Sequence, residues 1–157
     1  MHVILVRHAA AVDESATLSD AHRHLTPHGR DQARALGERL RWHDCAPDVA
    51  YTSPYVRAVQ TAELVLGAMQ LDGTAPLEAL PALAHGGQPR HVLAALQRLP
   101  PDATVLLVGH EPGLSHVADL LLAEGPFPGL SRAMAARIVD GTLRWTFAWD
   151  AVAPSKP

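Results

Sequence analysis

Residues 3–8 read Val3-Ile4-Leu5-Val6-Arg7-His8. Val3 to Val6 is a short, continuous apolar run rich in branched side chains, which predicts a strand buried on both faces. A strand of that kind belongs to a sheet covered by helices on both faces, and helices and strands alternate through most of the chain. Residues 9–25 lack helical periodicity and read as a loop. Thr26-Pro27 then predicts a helix start, with Thr26 as N-cap and Pro27 at the first helical position. Ala33, Leu36 and Leu40 give that helix its apolar stripe.

Beyond Pro47, Val49-Ala50-Tyr51 predicts a second strand. Ser53-Pro54 repeats the helix-start signal before the stripe Val56, Val59, Ala62 and Leu66. Residues 75–80 suggest a minor strand, and 81–89, with Pro81, Gly86, Gly87 and Pro89, a loop. Val92, Leu93, Leu96 and Leu99 mark a third helix stopped by Pro100-Pro101. Thr104 to Val108 is another buried strand, and Leu114, Val117, Ala118 and Leu121 mark a fourth helix. Segments 133–139 and 143–149 flank Asp140-Gly141 as an antiparallel hairpin. The fold class expected is α/β: a three-layer α/β/α sandwich whose central sheet is mostly parallel, with an antiparallel edge near the C-terminus. Residues 1–150 are expected to form a single domain, and 151–157 a short flexible tail.

The bulk properties fit. A chain of 157 residues, 48% apolar, suits one domain burying roughly 68–70% of its unfolded surface. The net charge of −3 comes without a basic block, which argues against nucleic acid. No apolar run reaches membrane-spanning length, and the opening residues lack a signal peptide's basic region. Cys45 is the only cysteine, so no internal disulfide forms. A cytoplasmic protein, a monomer by default, is the simplest expectation.

In parallel α/β sheets, ligands bind beyond the carboxyl ends of the strands. Here those ends carry Arg7-His8, then Thr52-Ser53-Pro54-Tyr55-Val56-Arg57, then Gly109-His110-Glu111-Pro112-Gly113. Two helix N-termini following such ends would favour an anion. Arginine forks fit phosphate oxygens, and histidine nitrogens attack, accept or donate. Taken singly, each has a plainer explanation: a loop or capping histidine, or Arg57 paired on the surface with Glu63 or Asp48. The convergence of all three at one topological position favours a site.

The motifs Val6-Arg7-His8, Leu25-Thr26-Pro27-x-Gly29-x-x-Gln32-Ala33, Ser53-Pro54-x-x-Arg57-Ala58-x-Gln60-Thr61-Ala62 and Val108-Gly109-His110-Glu111-Pro112 together resemble the histidine phosphatase superfamily, which includes the phosphoglycerate mutases. The likeness spans about residues 1–150 and is greatest to the short bacterial branch of protein-phosphohistidine phosphatases. It implies that His8 is phosphorylated and that Arg7, Arg57 and His110 surround the phosphoryl oxygens. Ala9 stands where many members carry glycine. Gly29 and Gln32 read as structural.

Larger members resemble one another in a Leu-x-Glu motif whose glutamate protonates the leaving oxygen. The matching stretch here is Leu80-Pro81-Ala82. Glu78, Asp20 and Glu111 are the candidate substitutes. Without a dedicated acid, typically worth 10²–10⁴-fold, a phosphoramidate such as protein phosphohistidine is the more suitable substrate, because its leaving group departs more easily. The rival readings are a small-molecule phosphomonoesterase or mutase using the same His8, and a phosphate-binding module without turnover. No cofactor and no metal are expected: His22, His24 and His28 lack a recognised ligand spacing and read as a solvated loop. His85, His91 and His116 read as decoration of loops and helices, and Trp145 and Trp149 as core. No Gly-x-x-x-x-Gly-Lys loop, cysteine-phosphatase loop or Gly-x-Ser-x-Gly elbow is present.

Overall fold

The computed structural model describes residues 1–71 and 73–152, and every count or absence given below refers to these residues. Along strand β1 (His2–Arg7), side chains alternate between two apolar layers. Ile4 and Val6 join one buried cluster, Val3 and Leu5 the other. This is the two-faced burial that a continuous apolar run predicts. Helices α1 (Pro27–Trp42) and α2 (Val56–Ala68) cover the first face through Ala33, Leu36, Leu40, Ala62 and Val65. Helices α3 (Pro89–Leu96) and α4 (Gly113–Leu121) cover the second through Val92, Leu96, Leu114 and Val117.

The remaining strands are β2 (Val49–Thr52), β3 (Leu77–Ala79), β4 (Thr104–Gly109), β5 (Met134–Val139) and β6 (Thr142–Ala148). They form one six-stranded sheet in the order β3-β2-β4-β1-β5-β6. β1, β2, β3 and β4 run parallel, whereas β5 and β6 are antiparallel and close one edge. The expected α/β/α sandwich is therefore observed. Asp140 and Gly141, with φ of 47° and 78°, make the primed two-residue turn of the β5–β6 hairpin. No helix is long and apolar enough to cross a membrane.

The structure corrects several local expectations. α2 begins at Val56 rather than at Pro54: Ser53 is fully buried and does not cap the helix. α3 ends at Leu96, so Leu99 lies in the turn that follows. Trp145 and Trp149 are only half-buried against the first cluster, and Trp149 lies beyond the end of β6. At the C-terminus, Arg39 Nε donates to the Ala151 carbonyl at 2.5 Å, which ties the end of the domain to α1. The tail expected to fray, Ala153 to Pro157, lies outside the described residues.

Candidate active site

Sheet register brings the three polar strand ends together. Arg7 on β1 lies beside Gly109 on β4, and Thr52 on β2 beside Val108. His8 N donates to the Gly109 carbonyl at 3.1 Å and Ser53 N to the Val108 carbonyl at 2.9 Å, so the next residue of each strand, His8, His110 and Ser53, leaves the sheet at the same level. Arg57 follows in the first turn of α2. It is 1% exposed, so it is not the surface partner of Glu63 or Asp48.

His8 is buried. Its Nδ1 lies 2.8 Å from the Ala9 carbonyl oxygen. A carbonyl only accepts, so Nδ1 carries the proton and Nε2 holds the lone pair in the neutral ring. Burial first, then the Arg57 and Arg7 charges, push the His8 pKa down to about 4, keeping the ring neutral near pH 7. Arg57 Nε lies 3.4 Å from His8 Nε2.

The loop after His8 is braced from both helices of the first layer. Ala9 N donates to Thr61 Oγ1 at 3.1 Å, Ala10 N to Gln32 Oε1 at 2.9 Å, and Thr26 N to the Ala10 carbonyl at 3.0 Å. Gly29 lets α1 approach closely, since a Cβ there would sit 1.9 Å from the Ala10 oxygen. Leu25 N donates to Gln60 Oε1 at 2.8 Å. Gly29, Gln32, Gln60 and Thr61 thus position the backbone on either side of the site. Thr26 caps α1 as expected, its Oγ1 accepting from Gly29 N at 3.0 Å.

The guanidinium of Arg57 is fully engaged. Besides His8, Nη1 donates to the Asp20 carbonyl at 2.6 Å, while Nη2 reaches Asp20 Oδ2 at 3.4 Å and His85 Nε2 at 3.1 Å. Asp20, on a short 3₁₀ turn (Asp20–His22), also accepts from Arg23 Nη1 at 2.9 Å. Burial would raise the Asp20 pKa, but Arg23 and Arg57 outweigh it and hold the carboxyl below its ordinary value. Arg7 Nη1 donates to the Leu130 carbonyl at 3.0 Å. Burial lowers the pKa of both Arg7 and Arg57, opposed by Glu111 and Asp20 respectively; both remain cationic.

His110 is 3% exposed. Its Nε2 lies 2.8 Å from Ser53 Oγ, and that oxygen accepts from Tyr55 N at 3.2 Å. Burial, then His8 and His85, push its pKa down to about 3. Arg7 Nε and His110 Nδ1 are buried and have no hydrogen-bond partner among the described residues. The His8 and His110 rings lie 5.1 Å apart.

The structure separates the three carboxylates singled out in the sequence. Asp20 touches Arg57. Glu111 does not face the cluster as an acid: its two oxygens accept from Ser115 N at 3.2 Å and Leu130 N at 3.0 Å. Glu111 therefore occupies the N-terminus of α4, which was expected to attract a ligand anion, and anchors the loop whose carbonyl accepts from Arg7. Glu78 is exposed on edge strand β3, in register with Tyr51, and bonds none of the four cluster residues. His85 corrects the sequence reading in the other direction. It belongs to the cluster, its ring 4.3 Å from that of His110 and 5.6 Å from that of Tyr55. His22 pairs with Ser19, and His28 with Gln32 and the Trp149 ring. No three His, Cys, Asp or Glu side chains group as metal ligands among the described residues.

A buried histidine whose Nε2 accepts from Arg57, with the Arg7 charge acting on it at the carboxyl edge of a parallel sheet, gives this α/β protein a cationic cluster around one neutral imidazole. Comparison with known proteins places it. Residues 3–87 match the histidine phosphatase superfamily (branch 1). The phosphohistidine phosphatase SixA of Escherichia coli (strain K12) is 34% identical over 153 residues, 96% of this chain and 92% of that protein. The solved structure of the protein histidine phosphatase SixA complexed with tungstate superposes with a TM-score of 0.86 at 29% identity, covering 95% of this chain and 97% of the other. A phosphoglycerate mutase from Bacillus anthracis str. Sterne shares the fold, with a TM-score of 0.68 at 17% identity over 90% of this chain and 89% of that one. The chain belongs to the histidine phosphatase superfamily, branch 1.

Proposed function

We propose that this protein is a phosphatase that transfers a phosphoryl group from protein phosphohistidine to His8 Nε2 and then to water. The observation that carries the proposal is the Nδ1–Ala9 bond, which leaves Nε2 unprotonated; its lone pair accepts from Arg57 Nε in the free site and is released when that donor turns to a phosphoryl oxygen. The neutral ring attacks phosphorus in line, the bond to the leaving nitrogen breaks, and water hydrolyses the phosphohistidine enzyme. Arg7, Arg57 and His110 stabilise the equatorial oxygens by preorganised donors. We assign the Ser53 hydroxyl as the donor to His110 Nε2, which puts the one proton of the neutral ring on Nδ1; this N–H and Arg7 Nε are then donors that no group among the described residues uses.

The likeness to SixA over nearly the whole chain supports phosphohistidine as the substrate, and the similar SixA structure solved with tungstate supports an oxyanion site. Asp20, ionised and bound to Arg57 and Arg23, orients the arginine rather than serving as the acid. The positive charge of the two arginines substitutes for a metal cation, so turnover is metal-independent; a cytoplasmic location suits a phosphoprotein substrate. Rapid-quench labelling with a phosphohistidine peptide tests the reading. Acid-labile, base-stable phosphate is expected on His8. Normal turnover by His8→Ala would refute the mechanism, and equal kcat/KM for phosphohistidine and alkyl phosphates would refute the substrate class.

A further inference from the structure

We infer that His85 is the proton donor to the leaving group, taking the place of the carboxylic acid whose expected position is held by Ala82. The inference rests on the phosphatase reading above and assigns the group that completes its chemistry.

The placement is built rather than incidental. Ala82 lies within a 3₁₀ turn (Pro81–Leu83) that leads into the loop carrying His85. Ala84 N donates to the Pro81 carbonyl and Gly87 N to the Ala84 carbonyl, both at 3.0 Å. Gly86 takes a φ of 78°, and a Cβ on Gly87 would sit 2.1 Å from the Ala82 oxygen. The chain therefore doubles back on Ala82 and presents the imidazole of His85 over the ring of His110. One guanidinium connects the two reactive histidines: Arg57 Nε faces His8 Nε2, and Nη2 faces His85 Nε2. A phosphoryl oxygen held on that edge of Arg57 has the nucleophile on one flank and His85 on the other, where an in-line displacement sends the departing atom.

In the free site Arg57 donates to His85 Nε2, so His85 is neutral there. Burial, then the Arg57, Arg23 and Arg7 charges, lower its pKa, opposed by Asp20; the His110 and Tyr55 rings complete its surroundings. A bound phosphoryl group takes over the Arg57 donor and adds negative charge, and both changes favour protonated His85. The step then balances. The His8 Nε2 lone pair forms the N–P bond, the P–N bond to the substrate imidazole breaks with its pair going to nitrogen, and His85 delivers its proton there. In the second step water attacks phosphorus, the P–Nε2 bond returns its pair to His8, and His85 takes the water proton. The nitrogen that departs from a neutral phosphohistidine with the P–N pair is an imidazolate, a much stronger base than the imidazole of His85, so the His85 imidazolium protonates it favourably as the bond breaks.

The test compares wild type with His85→Ala and His85→Gln on nitrophenyl phosphate, phenyl phosphate and a phosphohistidine peptide. Nitrophenolate leaves without help, so its kcat/KM should fall by much less than that of the other two substrates. Phenyl phosphate and the phosphohistidine peptide should each lose about a hundredfold, the low end of a general-acid contribution. The alkaline fall of wild-type kcat, where the acid loses its proton, should vanish in both variants. Gln retains an acceptor for Arg57 without a proton to titrate, so a fully active His85→Gln would overturn the inference. An equal loss on both aryl substrates would overturn it too, by showing that His85 only steadies Arg57. If wild type ignores the phosphohistidine peptide while the aryl pattern holds, the substrate assignment alone fails.

Discussion

Replacing Arg57 by lysine tests the site most directly, because it keeps the charge and removes the fork. Arg57 is 1% exposed, and its three nitrogens address His8 Nε2, the Asp20 carbonyl, Asp20 Oδ2 and His85 Nε2 at 2.6–3.4 Å. A lysine ammonium is a single point and cannot bridge the edge between His8 and His85. Its donors would satisfy Asp20, whose carboxylate is the nearest full charge, and leave the phosphoryl oxygens short of at least one charge-assisted bond. Such a bond contributes about 1.5–3 kcal/mol. At about 1.4 kcal/mol per factor of ten, Arg57→Lys should lower kcat on nitrophenyl phosphate by about 10- to 150-fold. Stopped-flow or steady-state release of nitrophenolate reads this, with circular dichroism confirming the fold. A folded Arg57→Lys protein of wild-type kcat would refute the argument that the planar fork holds the transferring group.

The pH dependence follows from the depressed histidines. With His8 at about 4 and His110 at about 3, nucleophile loss should set in near pH 4 rather than near 6.5, readable as the acidic limb of kcat/KM. The same shifts act on stability: between about pH 6.5 and pH 4 the unfolded chain binds protons that folded His8 and His110 refuse, so urea midpoints should fall as pH falls through this window, and a flat profile would contradict the burial argument. Gly29→Ala forces a Cβ against the Ala10 carbonyl and should cost about 1–3 kcal/mol with a drop in kcat, both absent if α1 does not brace the His8 loop. Ser53→Ala leaves buried His110 Nε2 unpaired and should cost about 1–3 kcal/mol by denaturant titration; an unchanged midpoint would show that the bond carries little. Exhaustive chelation should leave kcat unaltered, since Arg7 and Arg57 supply the positive charge; recovery on adding a divalent cation would reopen His22, His24 and His28 as ligands.

The fold was legible because its core strands are short apolar runs separated by helical stripes, and periodicity reports burial on each face. His8, Arg7, Arg57 and His110 were legible because strand ends of a parallel sheet converge, so topology alone brings distant residues together. Ser53 was misread because a Ser-Pro pair signals a helix cap locally, while its actual partner, His110, is 57 residues away. Glu111 was misread because its neighbours in sequence suggest the site, but its side chain satisfies the free N–H groups of Ser115 and Leu130. His85 reads as decoration because it sits in a glycine-rich loop with no periodicity to orient it. Its position depends on the turn at Gly86 and on contact with His110, neither of which a one-dimensional pattern encodes. The one available signal was its place three residues beyond Ala82, where the expected acid is missing.

The ion pair between Arg57 and Asp20 has a bearing on how the site lets go of its product. A buried guanidinium without an anion would bind phosphate tightly and release it slowly. Here the Asp20 carboxylate, 3.3 Å from Arg57 Nη2, already fills that role, so on the proposed mechanism an arriving phosphoryl group would exchange with an internal anion instead of meeting a bare cation. Affinity is then set by the difference between two anions, and the departing phosphate is replaced by a carboxylate tethered a few ångströms away. On the proposed mechanism the protein carries its own competitor, and free phosphate is expected to inhibit turnover only weakly.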